Sequence, residues 1–291
     1  MDIHPLDTPL AATVRGWDPS RPLSADELSV LREGLARHHV LILRGHAQPT
    51  AAELSRFANQ FGPVAPASEL YEGMELEHHD VLPVSNELND KGYERGVAGS
   101  GALPWHTDYS FLNTAAKETF LEALLLPPGG GPNTKFCDLY AAYDALSDEW
   151  RERLHNLRAH HAITAASGYS QPQGDSDELV ARRRQSNPEL VYPDDGTGAW
   201  HPAVITHPET GRTALYVSHF VSHFEGLDIA ESQAIVRELL EFATTPERVY
   251  SHPWQVGDLI VFDTVGTVHS RDNLRTDQRR SMRQLSTLLA A

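Results

Sequence analysis

The apolar residues of this chain gather in short runs separated by turn residues: FLEALLLP at 120–127, TALYV at 213–217, DLIVFD at 258–263 and MRQLSTLL at 282–289. Runs this short, joined by long irregular connections, predict strands and hence a mostly β or α+β fold with peripheral helices. The first sixty residues supply two of those helices. Residues 24–37 set Leu28, Leu31 and Leu35 on one face behind a Ser24–Glu27 capping box. Thr50 with Glu53 opens a second helix, which packs Leu54, Phe57 and Phe61 and stops at Gly62-Pro63. Between them HHVLILRG (38–45) reads as a buried strand, and a further helix is expected at 228–243, capped by Asp228. The connections 85–104 and 168–198 are long enough to be lids or binding loops. No composition shift marks a boundary, so one domain over residues 1–291 is expected.

Charge and cysteine usage narrow the function. With 24 basic against 40 acidic side chains and a net charge of −16, the chain lacks the basic surface that nucleic acids and anionic membranes require. Its one cysteine, Cys137, cannot form an internal disulfide or a cysteine-based zinc site. The opening residues show no signal-peptide pattern, and no apolar run approaches the roughly 18 residues of a membrane span. A cytoplasmic protein with a small-molecule partner is the expectation.

Sixteen histidines raise the question of a metal. Two His and one carboxylate can occupy one face of an octahedral iron and leave three positions open. Two of the three often lie as His-x-Asp or His-x-Glu, because residues i and i+2 of a strand point the same way. Chance supplies about two such pairs in a chain of this composition, and four are present: His78/Asp80, His106/Asp108, His207/Glu209 and His223/Glu225. Context separates them. His207 lies in HPETGR, a turn sequence; His223 runs into Gly226 and a helix cap, as in a loop; His78 follows an acidic stretch and reads as solvated. His106 and Asp108 sit in LPWHTDYSF, a strand-like segment directly after a glycine-rich loop. Near the C-terminus a strand, a turn at Gly266 and then His269 offer a third ligand, with Arg280 following. That arginine could grip the far carboxylate of a dicarboxylate co-substrate. Taken alone, it reads as one member of a surface basic run.

The ordered segments HHVLILRG…FANQFGPV, WHTD, GGGPNTKFCDLYAAYDALS, HPAVITHPETGRTALYV, SHFEGL and GDLIVFD…H…RRSMR resemble the taurine and 2,4-dichlorophenoxyacetate dioxygenase family, over nearly the whole chain. The resemblance implies an Fe(II)- and 2-oxoglutarate-dependent dioxygenase with a double-stranded β-helix (jelly-roll) core. It implies His106, Asp108 and His269 as iron ligands, and Thr134 with Arg280 for the distal carboxylate of 2-oxoglutarate. Asn86, Tyr109 and Phe220 would line the substrate pocket. O₂ would be the second co-substrate, and a small organic compound would be oxidised, most simply by C–H hydroxylation, with release of succinate and CO₂. Family members commonly self-associate, so a homo-oligomer is expected.

Three positions depart from the pattern. Phe262-Asp263-Thr264 replaces the family's Trp-Asp-Asn before the distal histidine. Gln284 stands where relatives acting on sulfonates or carboxylates carry an arginine. Phe220 stands where the phenoxyacetate enzymes use a histidine. A less anionic substrate follows, or an anion held from another loop such as Arg182–Arg184. Two rival classes use the same ligands or scaffold: a zinc-dependent hydrolase, which has no need of Thr134 and Arg280, and a non-catalytic jelly-roll binding protein, which would have lost a ligand.

Overall fold

The computed structural model describes residues 1–71, 73–99, 101–163, 198–275 and 277–289. The architecture is mostly β. A seven-stranded sheet runs, in neighbour order, β1 (Asp2–Pro5), β2 (Ala12–Arg15), β3 (Val40–Leu43), β14 (Leu259–Asp263), β6 (Ala116–Leu125), β16 (Ser281–Leu288) and β4 (Leu82–Ser85). A four-stranded sheet runs β13 (Val249–His252), β7 (Thr134–Asp138), β15 (Thr267–Arg271) and β5 (Leu103–His106). Beside them lie a three-stranded sheet, β12 (Val221–Phe224), β8 (Arg158–Ala162) and β9 (Gly198–Pro202), and a hairpin of β10 (Val204–Thr206) with β11 (Thr213–Leu215). The helices are α1 (Ala25–His38), α2 (Ala51–Asn59), α3 (Ala67–Leu70), α4 (Leu139–Asp144), α5 (Asp148–His155) and α6 (Ile229–Ala243). Among the described residues, no helix is long and apolar enough to cross a membrane.

Strand alternation builds the cores on the faces of the two larger sheets. Ile42, Leu121, Ile260, Phe262 and Met282 of the large sheet meet Phe136 and Tyr250 of the smaller one, together with Trp254. The opposite face of the large sheet carries Leu41, Leu43, Phe120, Val261 and Leu285, onto which α1 and α2 press Leu31, Leu35, Leu54 and Phe57, followed by Phe61. Each such side chain contributes roughly 1.5–3 kcal/mol by leaving water. Both capping boxes form as the sequence predicts. On the back of the smaller sheet, Cys137 and Val268 pack against Val236, Leu239 and Leu240 of α6, which makes Cys137 a small buried hydrophobe.

The connection expected at 85–104 is shorter than the sequence suggested, because Ser85 ends β4 and Leu103 starts β5. It is also tied down. The buried Arg271 guanidinium donates from Nη2 to the carbonyls of Ala98, Gly99 and Gly101 at 3.0, 2.8 and 2.6 Å. Most of the second expected loop, 168–198, lies outside the described residues, as do Arg182, Arg183 and Arg184.

Candidate metal centre

Antiparallel register gathers the site. Tyr250, Phe136, His269 and His106 lie opposite one another across β13, β7, β15 and β5. Two residues along, His252, Thr134 and Arg271 form a second row. Both rows face the large sheet, since Phe136 and Tyr250 belong to the core between the sheets. The facing strand β16 carries Met282 in that core, by alternation Gln284 shares its side, and Arg280, just before the strand, comes against Trp254 of the same core.

His106 ends β5, and Asp108 falls in the turn beyond it rather than two places along one strand. Tyr109 makes that turn with φ at 52°, a left-handed conformation unusual for a bulky residue and a recurrent feature of functional sites. The result returns Asp108 to its neighbours. Its Oδ1 lies 3.7 Å from His106 Nε2 and its Oδ2 3.7 Å from His269 Nε2. The two imidazole centroids are 4.0 Å apart, and one ligand atom from each of the three side chains falls within 4.8 Å of the others.

The electrostatics suit a cation. His106 Nδ1 donates to the Pro104 carbonyl at 2.8 Å, leaving the Nε2 lone pair free, as metal-binding imidazoles require. Burial holds His269 well below the usual histidine range, so it is neutral. Burial also raises Asp108, against the His106 charge and the Gln284 and Thr119 side chains, which lower it. Asp108 Oδ2 and His269 Nδ1 are buried without hydrogen-bond partners, a costly state for the carboxylate unless a cation compensates it. Two imidazoles and one carboxylate fit a divalent first-row metal.

An anion cradle lies alongside. Arg280 is 3% exposed, yet its Nε and Nη2 have no partner, and burial with the nearby Arg271 charge pulls its pKa down to about 9. Trp254 links it to Thr134: the indole Nε1 donates to Thr134 Oγ1 at 2.9 Å, and the Arg280 guanidinium lies 5.8 Å from the ring centroid. Asn86 lies at the base of the same strand. Its amide donates to the Gln278 carbonyl at 2.8 Å and accepts from the Arg280 backbone N–H at 2.9 Å, so it holds the start of β16 in place. The Phe220 ring is 5.3 Å from His106 and 6.2 Å from Phe111, which in turn is 5.9 Å from Tyr109. The three aromatics form an apolar wall beside the cluster.

Sequence reasoning missed Trp254 and the support behind Asp263. Asp263 accepts from the Val265 and Gly266 backbone N–H groups at 2.9 and 3.0 Å and from the Tyr140 hydroxyl at 2.7 Å. It shapes the turn that delivers β15 and His269. Gly266 is required there, since a Cβ would run into the Tyr140 ring.

The remaining His–carboxylate pairs divide. His207 makes the expected turn, its Nδ1 accepting from the Glu209 and Thr210 backbones. His223 is a correction: it lies in β12 rather than a loop, paired with His160 of β8. Asp80 is another correction, since it is buried and accepts from Ser55 Oγ at 2.5 Å.

A mononuclear His-Asp-His cluster beside a buried cradle for an anion is the donor arrangement of metal-dependent oxygenases. Residues 2–286 match the taurine catabolism dioxygenase TauD, TfdA family, and the chain belongs to that family. It is 34% identical over 281 residues to pentalenolactone F synthase of Streptomyces avermitilis, covering 96% of this chain and 91% of that protein. It is 32% identical over 293 residues to the alpha-ketoglutarate-dependent 2,4-dichlorophenoxyacetate dioxygenase of Cupriavidus pinatubonensis, covering 98% and 96%. The solved structure of AAD-2 in complex with Mn(II) and N-oxalylglycine superposes with a TM-score of 0.79 at 27% identity, covering 100% of this chain and 99% of that one. The protein is therefore a 2-oxoglutarate-dependent dioxygenase, an oxidoreductase using 2-oxoglutarate, O₂ and a metal. Membership sets aside the hydrolase and binding-protein alternatives.

Proposed function

We propose that His106, Asp108 and His269 hold Fe(II), that Thr134 and Arg280 hold the distal carboxylate of 2-oxoglutarate, and that the protein hydroxylates a small, weakly anionic or neutral organic substrate. The observation that carries this reading is the convergence of the three ligand side chains beside a buried Arg280 whose Nε and Nη2 have no partner. The two packed sheets form the jelly-roll core of one domain, and the site lies between them. Fe(II) held there would couple decarboxylation of 2-oxoglutarate to succinate and CO₂ with oxidation of a substrate C–H bond. The chain's own residues do the rest. Pro104 fixes the His106 tautomer, and the Thr119 and Gln284 side chains hold the Asp108 carboxyl below where burial alone would raise it. Tyr109, Phe111 and Phe220 exclude water from the substrate side.

Gln284 supports the substrate class. It reaches the Asp108 carboxylate where relatives place an anion-binding arginine, and an amide brings hydrogen bonds without charge. Arg283 cannot take over that role, because it is buried on the other face of the large sheet, bound to Glu122 and the Pro49 carbonyl. Anaerobic addition of Fe(II) and 2-oxoglutarate, then O₂ with a substrate panel and succinate readout, tests the whole reading. A metal-to-co-substrate charge-transfer band is expected, with higher turnover on neutral oxygenated compounds than on sulfonates. Absence of the band overturns the site assignment, and exclusive turnover of carboxylates or sulfonates overturns the substrate class.

A further inference from the structure

We propose that Trp254 is a positioning residue for the distal carboxylate of the co-substrate: its indole N–H turns the Thr134 hydroxyl into a donor aimed at the site, and its ring steadies the Arg280 guanidinium. The inference rests on the assignment of Thr134 and Arg280 made above.

A threonine hydroxyl has one proton and two acceptor lone pairs, whereas an indole N–H can only donate. With Trp254 Nε1 at 2.9 Å from Thr134 Oγ1, the hydroxyl is the acceptor in that bond, and its proton must be donated elsewhere. Thr134 is 2% exposed, and its strand is paired on both sides, with His252 and with Arg271. The orientation imposed by the indole is therefore the state that meets an incoming anion. Without the indole the hydroxyl could rotate and present a lone pair to a carboxylate oxygen, which repels.

The same ring serves Arg280. A guanidinium within about 6 Å of an aromatic centroid is attracted to the ring face, and this one lies at 5.8 Å. The attraction opposes burial and the neighbouring Arg271 charge, both of which disfavour a charged Arg280.

Trp254 is itself held rigidly. Its ring stands edge-on to His252 at 4.7 Å and 85°. His252 is pinned between the Tyr250 hydroxyl at 2.8 Å and Asp258 Oδ2 at 3.0 Å. Arg44 grips Asp258 through two hydrogen bonds of 2.6 and 2.7 Å. A chain of hydrogen bonds and one ring contact thus runs from an arginine just past β3 to the Thr134 hydroxyl.

The test compares 2-oxoglutarate with 2-oxopentanoate, which lacks the distal carboxylate, by calorimetric titration of Mn(II)-loaded protein. Trp254→Phe keeps a ring and deletes the N–H. It should weaken 2-oxoglutarate binding about 5- to 10-fold and leave 2-oxopentanoate within about twofold. In a Thr134→Val background the same change should add less than about twofold, because the hydroxyl it orients is gone. Equal losses for both ligands, or effects of W254F and T134V that multiply, would show a merely structural tryptophan and overturn the proposal. A different failure, 2-oxoglutarate binding unaffected by T134V and by R280Q, would bring down the co-substrate site itself. If W254F folds poorly, the indole ¹⁵N–¹H resonances of zinc-loaded wild-type protein carry the test. One of them should move with 2-oxoglutarate and stay in place with 2-oxopentanoate, and equal shifts would overturn the proposal.

Discussion

Replacing Arg283 by Met tests which members of the run Arg280-Ser281-Met282-Arg283-Gln284 face the site. Arg283 donates from Nε and Nη2 to Glu122 Oε2 at 3.0 and 2.5 Å, from Nη2 to the Pro49 carbonyl at 2.7 Å, and from Nη1 to Glu77 at 3.3 Å. Glu122 is fully buried, its other oxygen already lacks a partner, and burial raises its pKa while Arg283 opposes the rise. R283M strands that carboxylate. Breaking a buried pair from one side costs about 3–5 kcal/mol, which for a chain of this size lowers the melting temperature by about 6–10 °C. Removing both partners, as in E122L/R283M, should recover most of the loss, to within about 1–2 kcal/mol of wild type. Urea denaturation gives the stabilities, and succinate formation gives KM for co-substrate and substrate, which the double variant should retain. An R283M protein of nearly wild-type stability but with weakened substrate binding would refute the placement of Arg283 on the face away from the site and with it the case for Gln284.

Three further outcomes follow from the geometry. Asp108→Ala and His269→Ala should each weaken Mn(II) binding by more than about 100-fold in calorimetry while leaving the far-ultraviolet circular dichroism intact, since a lost ligand exceeds the usual effect of its supporting partners. Asp263→Ala removes the acceptor for two backbone N–H groups and Tyr140; it should cost about 2–4 kcal/mol in urea and loosen Mn(II) about 10-fold through the turn before His269. Burial lifts Glu118 from 4.5 to about 7 against the pull of Lys117, so between those values the native state keeps a proton that the unfolded chain has lost. Stability from this group therefore falls as pH rises through that window, by at most about 3 kcal/mol, and Glu118→Gln should flatten the difference between urea midpoints at about pH 5 and about pH 8.

What could be read from the sequence was local or carried by ordered motifs. The capping boxes of α1 and α2 were legible because both partners lie three residues apart. The cluster itself was found because His106 and Asp108 are near neighbours in a distinctive context and His269 follows a strand-turn pattern. The register that sets His269 opposite His106, and Thr134 opposite Arg271, leaves no trace in spacing. Nor does the Trp254–Thr134 bond, whose donor lies in the connection after β13 and whose acceptor starts β7. His223 was misread because Gly226 and a helix cap follow it, while pairing of β12 with β8 overrides that local signal. Asp80 was misread because an acidic neighbourhood in sequence says nothing about Ser55 and α2 covering it in space.

The division between the two sheets has a physical logic. The four-stranded sheet supplies both imidazoles and Thr134 from strands paired on one or both sides, so their spacing is fixed by backbone ladders and tolerates little change. The carboxylate between them comes from a turn, strained at Tyr109, and the Thr119 and Gln284 side chains across the core oppose the rise that burial imposes on it. On the proposed assignment, a substitution at 284 acts on two things at once, the charge offered to the substrate and the surroundings of the Asp108 carboxylate. An arginine there would offer the substrate a full charge and would also lie within reach of the Asp108 carboxylate. A glutamine brings hydrogen bonds to both without a charge, in keeping with the weakly anionic or neutral substrate proposed above.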